Sequence, residues 1–146
     1  MPPLALDLDG VLADTRPLWR DWLEDAARRT RVELDLPEDR SRAAELLDEQ
    51  LGEWRPLLDR FAADRGPVYF RPHSGTGALL RRLQASGVRI GVFTDAPREL
   101  ADIALAHVGA ARRVVAVGTL DEVLHELGEG TLVVRSRAEL EAAAAV

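Results

Sequence analysis

Asp7 and Asp9 stand one residue apart at the end of an apolar run, in Leu4-Ala-Leu-Asp-Leu-Asp-Gly10. A carboxylate can act as a covalent nucleophile, and a second one two residues on can serve its leaving group as acid or base. Leu4, Leu6 and Leu8 are compatible with a buried strand, uninterrupted by turn residues before Gly10. Buried strands seldom end in two acids for stability alone, because each charge needs a partner or a metal. The plainer alternative is a solvated Asp-Gly turn. Gly10 is expected to let the chain turn sharply where a substrate approaches.

The elements that must position this pair follow from periodicity. After Thr15 the pattern becomes helical, with Pro17 in a first turn and Trp19, Trp22, Leu23 and Ala26 on one face. A second helix is expected over Pro37 to Leu51 with Gly52 as its stop, and a third from about Trp54 to Gly66. The tryptophans are read as packing core. From residue 74 helices alternate with short strands. Helices are expected over Ser74 to Gln84, Pro97 to Val108, Leu120 to Leu127 and from Arg137 onward. Strands are expected over Val88 to Thr94, Val114 to Val117 and Thr131 to Val134. This alternation predicts an α/β fold with a parallel sheet covered on both faces. Ligands in such sheets bind at the carboxyl ends of strands, where the acidic pair and Thr94 fall.

The segment Asp7-Leu-Asp-Gly-Val-Leu-Ala-Asp-Thr15 resembles the first motif of the haloacid dehalogenase superfamily, D-x-D-G-[VT]-[LI]-x-[DE]-[ST]. The resemblance implies a Rossmann-like core over residues 1–14 and 72–146, with a small all-helical cap, residues 15–71, inserted after the first strand. It implies that Asp7 is the nucleophile, forming an aspartyl-phosphate, and that Asp9 is the acid and base. It also implies Mg²⁺ on Asp7 and Asp9 and a small phosphorylated molecule as substrate. The stretch from Arg71-Pro-His-Ser-Gly75 to Val108 is similar to the second motif region, with Thr94 at the phosphate-binding position. A hydroxyl there, with backbone N–H groups of the next helix, can hold a phosphoryl oxygen. The alternative makes Thr94 an ordinary strand end, with Asp95 capping the helix that Pro97 begins. Asp95 is taken either as that cap or, with Thr94 and Gly10, as part of the substrate-binding set.

Two departures stand against that pattern. The third motif needs Lys or Arg, yet the chain has no lysine, and Thr119 to Glu122 reads as a capping box. In the fourth motif, Val133-Val-Arg-Ser-Arg-Ala-Glu-Leu-Glu-Ala-Ala143 puts Arg135 where the metal-binding acid belongs and Glu139 where the second acid belongs. Arginine offers only donors and cannot ligate Mg²⁺. Turned inward, Arg135 would pair with Asp7. There it either holds phosphate as a built-in cation or locks the nucleophile. Ser136-x-x-Glu139 reads more simply as a second capping box. Two functions are therefore carried forward. One is a phosphohydrolase of the phosphoglycolate-phosphatase-like kind, weak or metal-independent. The other is an impaired relative that binds a phosphorylated ligand or a protein partner.

Composition bounds these readings. With 146 residues, 47% hydrophobic and 30% charged, the chain suits one soluble globular domain. A net charge of −6 argues against nucleic-acid binding, which needs a basic face. The absence of cysteine removes disulfides, thiolate metal sites and cysteine nucleophiles. No apolar stretch approaches the ~20 residues that span a bilayer, and the N-terminus does not read as a signal peptide. A cytoplasmic location is the expectation. Nothing in the sequence names an oligomeric state, and His73, His107 and His125 receive no role.

Overall fold

The computed structural model describes residues 1–145, so residue 146, the last of the expected core, lies outside the described residues. Four parallel strands, β1 (Leu4–Asp7), β2 (Ile90–Phe93), β3 (Ala116–Gly118) and β4 (Leu132–Val134), form one sheet in the order β3-β2-β1-β4. β1 is central because its side chains are apolar on both sides. Leu4 and Leu6 join the larger core, and Ala5 joins the smaller one on the opposite face. The chain leaves β1, adds β2 and β3 on one flank, then returns to place β4 on the other. The reversal of strand order thus falls beside the C-terminal end of β1, where Asp7 stands.

Helices cover both faces. On one side, α4 (Ser74–Ala85), α5 (Arg98–His107) and α7 (Arg137–Ala144) supply Leu80, Leu83, Ala101, Leu105 and Leu140 to the core. On the other, α6 (Leu120–Leu127) presses Val123 and Leu127 against Ala5 and Phe93. Gly91 permits this contact: a Cβ there would lie 2.6 Å from Val123 Cγ1.

Between β1 and α4 lie α1 (Arg16–Thr30), α2 (Arg40–Gln50) and α3 (Arg55–Tyr69). Trp19, Trp22 and Trp54 pack in a mutual cluster with centroids 5.5 to 6.2 Å apart. Their core is not closed on itself, since Leu100 and Ala104 of α5 complete it.

Several boundaries differ from the sequence expectation. β1 ends at Asp7 rather than carrying both acids. Leu8–Leu12 winds into a single π-helical turn, closed by Ala13 N–H donating to the Leu8 carbonyl. α2 starts at Arg40, not Pro37, because Asp39 accepts from Ser41 N–H as its N-cap. α3 runs through Gly66 and Pro67 to Tyr69. Gly66 serves close packing instead of termination: a Cβ there would lie 2.5 Å from the His107 ring of α5. β3 sits two residues later than expected, at Ala116–Gly118, where it pairs with Gly91 to Phe93.

Candidate active site

Asp7, Asp9, Thr94, Asp95 and Arg135 line one cavity of about 860 Å³ at the C-terminal edge of the sheet. Phe93, Leu120, Trp19 and Leu23 give it apolar walls, while Arg16, Arg20 and Arg40 bring guanidinium groups from the inserted helices. Gly10 lies behind the cavity rather than in it. The backbone carbonyl of Arg135 approaches so closely that a Cβ on Gly10 would sit 2.1 Å from it. The glycine is required by this approach, not by a positive φ. Arg137 Nε donates to the Val11 carbonyl at 3.1 Å, fastening the same turn to α7.

Asp7 is half-buried. Burial first, and the charge of Asp9 second, push its carboxyl above the ordinary aspartate range. The backbone N–H groups of Asp9 and Gly10, and more weakly the Arg135 charge, pull in the opposite direction.

Asp9 is far more constrained. Its Oδ1 accepts from the Thr15 backbone N–H at 2.8 Å and from the Thr15 hydroxyl at 2.6 Å. Its Oδ2 accepts from Arg40 Nη2 at 2.5 Å and, at 3.5 Å, from the Thr94 hydroxyl. Thr15 opens α1 without capping it, because its hydroxyl is committed to Asp9.

Arg40 was not among the residues singled out from sequence, yet it is the hub of the site. Its side chain is only 3% exposed. Nη1 donates to Thr15 Oγ1 at 2.6 Å, while Nε and Nη2 donate to Asp95 Oδ1 at 3.0 and 2.8 Å. Its backbone N–H, otherwise unpaired at a helix start, donates to Asp95 Oδ2 at 3.0 Å. Asp95 therefore pairs the first N–H of α2, a distant element that Asp39 caps, and does not cap the helix that follows Pro97. Burial alone would raise the Asp95 carboxyl, but the backbone and guanidinium bonds from Arg40 outweigh it and hold it below the ordinary range. The only sequence signal for Arg40 was its place one residue after an Asp cap, which does not distinguish it among nineteen arginines.

Arg135 does not pair with Asp7. Its guanidinium lies over the Phe93 ring, 5.3 Å from the centroid, and no ion pair joins it to Asp7 among the described residues. Glu139 Oε2 accepts from the Arg135 backbone N–H at 2.6 Å, and Ser136 caps α7 by accepting from Glu139 N–H. His73 caps α4 by accepting from Thr76 N–H. Arg98 is spent on Asp102 and the Val117 carbonyl.

The donors do not suit Mg²⁺. Hard divalent cations take clustered oxygens. Both Asp9 carboxylate oxygens are engaged, an arginine rather than an acid stands at position 135 of the cavity lining, and Glu139 is turned to the backbone. No group of three or more potential metal-ligating side chains occurs among the described residues. Among them, too, no helix is long and apolar enough to cross a membrane.

The fold and site together define a Rossmann-like α/β protein with an aspartate pair at the switch point of its sheet. The profile of the haloacid dehalogenase-like hydrolases matches residues 4–129, and the chain belongs to that family. Among solved structures, it resembles a Thermotoga maritima protein assigned as a beta-phosphoglucomutase, with TM-score 0.56 and 17% identity. That alignment covers 100% of this chain and 82% of the other. A HAD phosphatase from Thermococcus onnurineus aligns with TM-score 0.50 and 21% identity, over 84% of this chain and 64% of its own. Protein Tyrosine Kinase A of Mycobacterium tuberculosis aligns with TM-score 0.54 and 22% identity, over 99% and 80%. No curated protein matches the chain by sequence.

Proposed function

We propose that the protein is a phosphohydrolase acting on a small phosphorylated compound, with residues 15–71 as its cap. The observation that carries this reading is Asp7, at the C-terminal end of the central strand, facing a cavity also lined by Arg135 and Arg40. In the proposed reaction an Asp7 carboxylate oxygen attacks phosphorus and the ester P–O bond breaks. Asp9 gives its proton to the departing alkoxide. Asp9 then takes a proton from water as the water oxygen attacks the aspartyl-phosphate, releasing orthophosphate and restoring Asp7. Arg135 supplies positive charge beside the phosphoryl oxygens, and Thr94 Oγ1 a hydrogen bond. No step requires a divalent cation, in keeping with the donor set.

Orthophosphate release from p-nitrophenyl phosphate tests this directly. Asp7→Asn abolishes the release, and excess chelator leaves wild-type turnover unchanged. Arg135→Asp restores an acid opposite Asp7 and confers stimulation by Mg²⁺. An Asp7-independent release would defeat the nucleophile assignment, and collapse of wild-type turnover with chelator would defeat the metal-free one. The four donors on Asp9 favour a second reading, a protein that binds phosphorylated ligands without turning them over. Binding that persists with no release would favour it.

A further inference from the structure

Asp9 cannot deliver a proton to a substrate while both of its oxygens are held. The strongest of its four donors is a guanidinium from a different element, and that guanidinium is shared by two carboxylates of the site. We propose that Arg40 is an internal latch: in the resting protein the Asp9 and Asp95 carboxylates occupy its guanidinium in place of an anionic group of the ligand, and a bound anion takes the guanidinium from them, releasing Asp9 into the cavity. The proposal rests on the reading of Asp9 as the acid and base.

Three observations carry it. Arg40 is 3% exposed and, among the described residues, its side chain donates to Asp9, Thr15 and Asp95 of the site alone, so its fork is built for that place. Its two acidic partners are unequal, Asp9 at 12% exposed and Asp95 at 42%, so one carboxylate of the pair is open to exchange from the cavity side. Ser41, Glu38 and Pro37, its neighbours at the start of α2, line the same cavity, so an anion entering it meets the helix start and its guanidinium together. An arginine fork binds carboxylate and phosphate oxygens in the same bidentate manner, which makes the exchange chemically even. The latch also confers selectivity. A phosphomonoester with a second anionic group opens it, and one without leaves Asp9 held.

Two substrates of almost equal size separate these cases, ethyl phosphate and 2-phosphoglycolate, which differ by a carboxylate. In the wild type, 2-phosphoglycolate is hydrolysed at least tenfold faster in kcat/KM. Added inorganic phosphite accelerates ethyl phosphate severalfold but not 2-phosphoglycolate, which separates a free anion from the substrate's own. Arg40→Gln raises ethyl phosphate turnover and abolishes the phosphite response. Asp95→Asn leaves Asp9 as the remaining acidic partner of the guanidinium and tightens that hold, so ethyl phosphate turnover falls while the phosphite response persists, which covers the case in which Arg40→Gln does not fold. Equal rates for the two substrates, slower ethyl phosphate hydrolysis in Arg40→Gln, or faster hydrolysis in Asp95→Asn overturn the latch.

A binding measurement decides the matter without turnover. Phosphite titrated into the labelled wild-type protein shifts the Arg40 guanidinium resonance and the Thr15 amide, which loses its bond to Asp9 Oδ1. If phosphite moves neither resonance, the proposal fails. If it moves both while no Asp7-dependent phosphate release is found, the latch stands and the phosphohydrolase reading fails.

Discussion

A methyl group at position 10 has nowhere to go, because the atom in its path is a backbone oxygen, that of Arg135. Gly10→Ala is therefore expected to cost about 3 kcal/mol, the upper range for forced overpacking. Urea denaturation reads this directly, and a loss below about 0.5 kcal/mol would show that the turn yields freely. At Asp7 the matter is charge. Only the ionised carboxylate attacks phosphorus, and burial with the neighbouring Asp9 raises its titration above the ordinary 3.8. The acid limb of kcat/KM is expected to rise with pH, with its midpoint above that value. Weakening the repulsion by Asp9→Asn moves the midpoint of any residual activity downward. A limb centred below 3.8 in the wild type would contradict the electrostatic account.

The start of α2 is joined to the end of β2 through Arg40 and Asp95, and this joint has its own pH dependence. The Asp95 carboxyl is held below the ordinary value in the folded chain. A carboxyl depressed on folding stabilises the protein above its unfolded-state value, and that stability is lost as pH falls toward the folded one. The difference in unfolding free energy between wild type and Asp95→Asn is thus constant near neutrality and shrinks below about pH 4. Because Asp95 is 42% exposed, the neutral-pH difference is expected to be only about 1 kcal/mol. Arg40→Met strands Asp9, which is much less exposed, and is expected to cost about 3 kcal/mol. Equilibrium unfolding of both variants across pH 3 to 7 checks the pair.

At the scale of the molecule, the inserted helices share their core with the sheet's own α5. Leu100 is fully buried within the tryptophan cluster's surroundings, and Gly66 of α3 lies against His107 of α5. Residues 15–71 are accordingly expected not to melt on their own. All three tryptophans lie in this insert, so their fluorescence follows the insert while far-ultraviolet circular dichroism follows the whole chain. The two urea transitions coincide in the wild type. Leu100→Ala moves both together by about 3 kcal/mol. Separate transitions would mark the insert as an independent unit.

How much of this was legible differs by kind of residue. The apolar run of β1, the helix starts at Pro17, Thr119 and Ser136, and the parallel α/β order are local signals, set by steric and hydrogen-bonding preferences a few residues long. Asp7 ends and Thr94 directly follows a strand whose position in the sheet its own apolar pattern determines, whereas Asp9 lies in the π-helical turn after β1. Gly66 could not be read this way. Its role depends on a histidine 41 residues away in sequence, whereas a glycine in isolation looks like a helix stop.

Binary patterning and turn chemistry act along the chain, so the sheet, its covering helices and the acidic pair closing and following the central strand could be read from the residues in order. Which charges meet is set by packing between distant elements. Arg135, placed by its motif position opposite Asp7, lies instead over Phe93, while Arg40, one arginine among nineteen, holds Asp9, Thr15 and Asp95. An ion pair forms between groups 31 and 55 residues apart only when packed helices bring them within hydrogen-bond reach and exclude water. That proximity is written in no local stretch of the chain.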